Sequence, residues 1–375
     1  MPTTNTTAMR PNTQIHAAVV SYQGRMALRN TGEGFIMPIL KMIGFQMSIS
    51  ILFFISNPKL SVQSTNLASC RTRKFFKYIW VCLLLGLFIG CAVSPKELQI
   101  EGHKKSYPPE TIIQTASGLT VTFDQMMADL YSARIVYVGE QHTRPRDHAI
   151  QLKILKQLNA ICPDAAVGME MFSKPYQPIL NRWAKGELTR QQFIEQTHWY
   201  ANWKFDYALY EDLLSYVRKH RIPLFGLNVP FHIPSKVAAG GIDNLLPAQK
   251  AHLPDTIDTT NPEHRKFVKS IFEKHPRRGL KNFEYFYEAQ CVWEDTMAAA
   301  VSQNLGDGWM VVFAGSGHLR HHYGIPLRAY KRNSVPYRTV IPVAAGETVK
   351  PDLADYIWVT GGASAKPPHP MPGSD

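Results

Sequence analysis

Short apolar runs that are followed at once by polar residues recur through the middle of the chain. In the first, residues 135–138 are apolar and mostly β-branched, and Glu140 and His142 follow directly. From Pro145 onward the apolar residues have the spacing of an amphipathic helix. Continuous apolar runs of this length are typical of strands that are buried on both faces of a parallel sheet. The pattern therefore predicts a strand, a polar turn and a helix.

Three further runs, at residues 166–169, 223–227 and 310–314, are each followed by a polar residue or a glycine-rich turn. Ligands bind at the carboxyl ends of parallel strands, which meet at one edge of the sheet. The alternative is that each polar residue only caps the next helix, above all Asn228, although His and Glu are not preferred caps. The polar residues expected at this shared edge, called the rim below, are Glu140, His142, Glu170, Asn228 and His318.

The order of these elements predicts an α/β fold with a mostly parallel sheet flanked by helices. A long helical stretch rich in aromatic residues, about 175–217, interrupts the sequence of strands. Its position between two strands predicts a smaller helical insertion domain rather than a simple crossover helix.

The formal net charge of +12 is concentrated at the N-terminus. Residues 1–90 contain nine of the 41 Lys/Arg and one of the 29 Asp/Glu, which leaves 32 basic and 28 acidic groups in residues 91–375. An excess confined in this way does not indicate a nucleic-acid-binding surface.

Residues 71–90 combine four basic residues with a twelve-residue apolar core, and Gly90 and Cys91 follow. This is typical of a lipoprotein signal peptide, and it predicts that Cys91 is lipidated and anchors the protein to a membrane. An uncleaved anchor is the alternative. We predict that residues 1–70 are a non-functional upstream extension, 91–109 a polar tether, 110–361 the folded domain and 362–375 a disordered tail.

Several motifs occur together between residues 107 and 361. They are Val138-Gly139-Glu140-Gln141-His142, Gly168-Met169-Glu170-Met171-Phe172, Asn228-Val229-Pro230, Ala289-Gln290 with Trp293 and Thr296-Met297-Ala298, Gly315-Ser316-Gly317-His318, Gly324-Ile325-Pro326 and Ala354-Asp355-Tyr356-Ile357-Trp358. Their order resembles that of the ChaN family of haem-binding lipoproteins, within the haem-uptake/TIKI superfamily. The resemblance implies haem bound at a homodimer interface, with a tyrosine of one subunit on the iron and a histidine of the other assisting. It also implies a role in haem and iron uptake at the outer membrane of a Gram-negative bacterium.

The aromatic stretch 198–210 supplies the candidate haem ligands Tyr200 and Tyr207, with His198 as the assisting residue. A phenolate suits ferric iron, and aromatic side chains suit the porphyrin. The alternative is that these aromatic residues are the core of the helical insertion. We expect this haem site to be separate from the rim, and Arg144 and Arg146 are candidate partners of the propionates.

The two Gly-x-x-His motifs resemble those of the related TIKI peptidases, which are metal-dependent. His142, His318, Glu140 and Glu170 are therefore candidate ligands of a divalent metal in a hydrolase. They could equally form a hydrogen-bonded network without activity. A surface lipoprotein that has no cofactor is the third possibility.

Overall fold

A computed structural model describes residues 96–274 and 282–362. The predictions for the upstream extension, the signal peptide, Cys91 and nearly all of the C-terminal tail lie outside these residues. Among the described residues, none of the helices combines the length and apolar character that crossing a membrane requires.

The described chain contains both strands and helices, and groups of helices separate the central strands. The strands are β1 (Leu98–Ile100), β2 (Ser106–Tyr107), β3 (Ile112–Gln114), β4 (Leu119–Val121), β5 (Ile135–Glu140), β6 (Ala166–Ser173), β7 (Leu224–Asn228), β8 (Met310–Gly315), β9 (Tyr337–Ala344), β10 (Thr348–Val349) and β11 (Tyr356–Thr360). The α-helices are α1 (Phe123–Leu130), α2 (Pro145–Ile161), α3 (Gln177–Ala184), α4 (Arg190–Gln196), α5 (Trp199–Asn202), α6 (Glu211–Lys219), α7 (His232–Gly240), α8 (Pro247–Lys250), α9 (Pro262–Lys274), α10 (Phe283–Asn304) and α11 (Ile325–Asn333).

The main sheet has eight strands in the order β4-β3-β11-β9-β5-β8-β6-β7. From β11 to β7 all neighbouring strands are parallel, and β3 and β4 extend the sheet with antiparallel pairs. All six residues of β5 and of β8 are buried, as expected for central strands covered by helices on both faces. The predicted α/β fold with a mostly parallel sheet is confirmed.

The strands that carry the predicted rim residues are neighbours in this order. Strands β5, β8, β6 and β7 follow one another, and the register pairs Glu140 of β5 with Gly315 of β8. The carboxyl ends of these parallel strands therefore deliver their polar residues to one edge of the sheet, as the sequence pattern predicts.

The beginning of the folded domain differs from the prediction. Strands β1 and β2 form a second, three-stranded sheet with β10, and Leu98, Ile100 and Tyr107 are fully buried in the core. The predicted tether, 91–109, is therefore too long, because its C-terminal part belongs to the domain. Apolar runs of one or two residues gave no signal strong enough to indicate these strands.

The segment between β6 and β7 is helical, as predicted for the insertion. Helices α3 to α6 pack around aromatic side chains, with Trp183 stacked on Phe193 at 4.3 Å between ring centroids. Trp199 and Tyr207 complete this packing, and all four side chains are essentially inaccessible to solvent. The insertion thus has an aromatic core of its own.

Candidate functional site

A cleft lies over the rim, and three parts of the fold form its walls. The strand ends contribute His142, Glu170 and His318, and helix α10 contributes Gln290 and Trp293. The insertion adds Asn202, Trp203, Lys204 and Phe205. One compartment of this rim cleft measures about 470 Å³, and a second of about 560 Å³ shares His142 and Phe205 with it. These sizes are typical of small-molecule sites.

Glu140, at the end of β5, is buried and accepts hydrogen bonds on both oxygens. Tyr210 Oη and His142 Nδ1 each lie 2.7 Å from Oε1, and Gln151 Nε2 donates to Oε2 over 2.8 Å. Burial opposes ionisation, but the hydrogen bonds and charges of His142 and His148 outweigh it and lower the pKa of Glu140 to about 2. Glu140 is therefore a fixed negative charge that orients His142.

The ring of His142 lies between the rim and the insertion. Its centroid is 4.8 Å from that of Trp203 and 4.7 Å from that of Phe205. The aromatic stretch therefore reaches the rim through these two side chains, whereas the candidate haem residues Tyr200 and His198 do not line the cleft. Trp203 and Phe205 fold over the rim and form one wall of its cleft.

The glycines of the two Gly-x-x-His motifs allow close packing at the strand ends. A Cβ on Gly139 would lie 2.6 Å from Ser316 Oγ, and one on Gly315 would lie 2.9 Å from the His142 ring. Each motif therefore makes room for a side chain of the other. The glycine of each Gly-x-x-His motif therefore allows the two adjacent strands to pack closely, and the histidine three residues later lies at the rim.

Glu170 and His318 form the second charged pair of the rim. Glu170 accepts a 2.6 Å hydrogen bond from the backbone N–H of Gly315, and its Oε1 lies 3.5 Å from His318 Nε2. Burial opposes the positive charge of His318, but Glu170 and Glu294 outweigh it and raise the pKa of His318 to about 10. His318 is therefore a cation at neutral pH.

Behind His318, a buried network of ion pairs extends into the protein. Glu294 of α10 lies 3.2 Å from His318 Nδ1, 3.0 Å from His264 Nε2 and 3.4 Å from Arg328 Nε. Arg328 also pairs with Asp295. Despite burial, the neighbouring His264, His318 and Arg328 hold the pKa of Glu294 well below its usual range. The network fixes the orientation and the charge of His318.

The predicted metal ligands lie close to one another and form two His–Glu pairs. His142, His318, Glu140 and Glu170 are close to one another, but His318 is held protonated and both Glu140 oxygens already accept hydrogen bonds. Metal binding requires deprotonated ligands. In residues 96–274 and 282–362, no group of three or more His, Cys, Asp or Glu side chains has a geometry that could hold an ion.

The candidate haem ligands differ in their accessibility. Tyr207 is fully buried in the insertion, where burial raises its pKa well above the usual range. A haem iron reaches that oxygen only if the insertion opens, and Tyr207 as a ligand stays a prediction. Tyr200 is 44% exposed and lies near His198, whose Nδ1 is 3.2 Å from Tyr176 Oη. Neither Tyr200 nor His198 is among the residues that line the rim cleft.

Several functional residues were missed at the sequence level. Glu294 lies four residues after Gln290, on the buried face of α10, which is otherwise largely apolar. A charged residue on an apolar helix face is unusual, and this could have indicated a functional role for Glu294. His148 and Gln151 of α2 lie three residues apart and both face Glu140. His264 and Arg328 gave no signal, because the residues that they contact are distant in sequence.

The parallel sheet, the helical insertion and the rim cleft define the class of this protein. The family described as "Haem-binding uptake, Tiki superfamily, ChaN" matches residues 126–329, which is more than half of the chain. The chain therefore belongs to this family, as the sequence motifs indicate.

One solved structure shows the same fold. The structure titled "Cofacial heme binding to ChaN of Campylobacter jejuni" is 19% identical, with a TM-score of 0.56, and the match covers 66% of this chain and 95% of that one. A mutant of the erythromycin esterase EreC in its open conformation is 13% identical, with a TM-score of 0.38, and the match covers 63% and 76% of the two chains. A search of curated proteins found no match.

Proposed function

We propose that this protein is a haem-binding lipoprotein of the outer membrane that takes part in haem and iron uptake. In this proposal Tyr200 ligates ferric haem, and His198 of a second copy assists in a homodimer. Membership of the haem-binding uptake family supports the proposal. We assign Tyr200 as the ligand because its side chain is exposed, whereas that of Tyr207 is buried.

The surroundings of Tyr200 suit a ligand that is shared between two copies. Tyr200 and His198 are both exposed at the start of α5, and Tyr176 stacks edge-on against His198 at 5.9 Å. A haem held at this surface would have a phenol oxygen for the iron and aromatic side chains beside the porphyrin. A second copy would then cover the face of the haem that the first leaves open.

Tyr200→Phe is expected to weaken the binding of ferric haem at least tenfold without unfolding the protein. The substitution removes the ligating oxygen and keeps the ring. The measurement is a titration with hemin followed by the shift of the Soret band. Wild type should show a high-spin ferric spectrum that the variant loses.

Tyr207→Phe is the matched control, because it makes the same change at the buried tyrosine seven residues away. It should bind haem as wild type does. Loss of the Soret shift in Tyr207→Phe alone would contradict the assignment of Tyr200, and absence of the shift in wild type would contradict haem binding itself.

We also propose that Cys91 carries the lipid that anchors the domain to the membrane. The basic residues, the apolar core and Gly90 before Cys91 support this. Cys91→Ser should move the protein from the membrane fraction to the soluble fraction or leave it with an uncleaved leader of higher mass. Intact-mass measurement of the native protein distinguishes these results, and a wild-type mass without lipid would contradict the proposal.

A further inference from the structure

The second compartment of the rim cleft contains an arginine that none of the functions above uses. Arg320 lines this compartment together with Gln141, Thr143 and Gly317. Arg144 directly follows Thr143 at the start of α2. Arg144 is not among the residues that line the compartment, but its charge acts on Arg320, so the two guanidinium groups lie in the same region.

The two guanidinium groups lack a full set of acceptors. Arg144 Nη1 is buried and has no hydrogen-bond partner among the described residues. Arg320 has one ion pair within the described part of the chain, at the long distance of 4.0 Å, with Glu347. Burial and the nearby charge of Arg144 lower the pKa of Arg320. A buried donor without an acceptor is costly, and native proteins keep few of them.

The carboxylates on neighbouring elements do not meet this need. Asp147 accepts a hydrogen bond from the backbone of Gln141, and burial raises its pKa to about 6. The charge of Arg144 acts on Asp147, but the Oδ1 of Asp147 accepts no hydrogen bond from any described residue. Glu140 lines the compartment, but its oxygens are occupied by Tyr210, His142 and Gln151. Among the described residues, Arg144 Nη1 is therefore left without an acceptor.

We propose that Arg144 and Arg320 form a binding site for the carboxylate of a small molecule whose apolar part lies against Phe205 and Phe267. Both aromatic side chains line the same compartment. A planar carboxylate matches the fork of donors on a guanidinium group. The fixed negative charge of Glu140 offsets part of the positive charge of Arg144, Arg320 and Lys274, which favours a singly charged anion over a doubly charged phosphate. This inference does not depend on haem binding.

Benzoate and benzamide test the site, because they share an aromatic ring and differ in charge. Isothermal titration calorimetry on the whole chain should show at least tenfold tighter binding of benzoate. The double variant Arg144→Gln/Arg320→Gln should lose that preference, and Arg144→Lys/Arg320→Lys, which keeps the charges without the fork, should be intermediate. Arg182→Gln, which changes an exposed arginine paired with Glu187, is the matched control and should behave as wild type.

Removing one or both guanidinium groups relieves their mutual repulsion, so the glutamine variants should unfold at the same or a higher temperature than wild type. Equal affinities for benzoate and benzamide, or unchanged benzoate binding in the double glutamine variant, would overturn the proposal. Tighter binding of inorganic phosphate than of benzoate would overturn the choice of a monocarboxylate.

Competition with haem identifies the source of the carboxylate. If haem propionates use the site, benzoate should weaken the binding of hemin but not of its dimethyl ester. If both porphyrins bind equally well with and without benzoate, the site takes a different carboxylate, and the arginine pair is supported in either case. If the wild-type protein shows no Soret shift with hemin, haem binding is contradicted. The benzoate titration still tests the arginine site in that case.

Discussion

Glu294→Gln is expected to lower the free energy of unfolding by about 3–5 kcal/mol, because it removes the shared anion of a buried network. Glu294 is inaccessible to solvent and lies within 3.4 Å of nitrogen atoms of His264, His318 and Arg328. Loss of one partner of a buried ion pair leaves the other charge without compensation. For a domain of this size we expect the melting temperature to fall by roughly 10 °C.

The matched control for this substitution lies on the same helix. Glu284 is in the first turn of α10, its side chain is 57% exposed, and it pairs with Arg265. Glu284→Gln should change stability by less than about 1 kcal/mol, because exposed ion pairs contribute little. Urea denaturation of both variants measures the difference. Equal losses would show that the Glu294 network does not hold the domain together.

The charge on His318 is expected to make the protein lose stability at alkaline pH. The pKa of His318 is about 10 in the folded state, against an ordinary value of 6.5. Because the folded value is the higher one, the contribution is fully present below about pH 6.5 and is lost as the pH rises through about 10. The difference of about 3.5 pKa units corresponds to roughly 5 kcal/mol.

Two measurements check this expectation. The free energy of unfolding of wild type should fall between pH 6.5 and pH 10, and that of His318→Gln should change much less over the same range. His220→Gln, which changes an exposed histidine on the protein surface, should follow wild type. In an NMR titration, the His318 ring should show no change near pH 6.5. A His318 ring that titrates below pH 7.5 would contradict the expected charge.

The main sheet and the rim were predictable because each depends on local sequence. A buried parallel strand appears as a continuous apolar run, and the residue that follows the run must lie at the carboxyl edge of the sheet. Glu140, Glu170 and His318 could therefore be placed together without any knowledge of distances. Because β5 and β8 are neighbours in the sheet, His142 packs against Gly315.

The rest of the site depends on contacts between distant residues, which a linear pattern does not contain. His142 meets Trp203 because the insertion folds back over the rim, and His264 meets Glu294 because α9 packs on α10. The burial of Tyr207 and the exposure of Tyr200 follow from how the short helices of the insertion pack around Trp199. Aromatic residues at similar spacing look alike in the sequence, whichever of them faces the solvent.

The placement of the insertion has a consequence for how this protein family can diversify. Both ends of the insertion attach to adjacent strands, β6 and β7, and it contributes Trp203 and Phe205 to the cleft, whereas the charged residues below them come from the sheet and from α10. Changes of sequence or length in the part of the insertion before Tyr210, which hydrogen-bonds Glu140, can therefore reshape the entrance while the ionised floor stays intact. Selectivity for a bound molecule and the electrostatics of the pocket are then encoded largely in separate segments of the chain. Exchanging residues 174–206 between relatives should transfer the first property without the second.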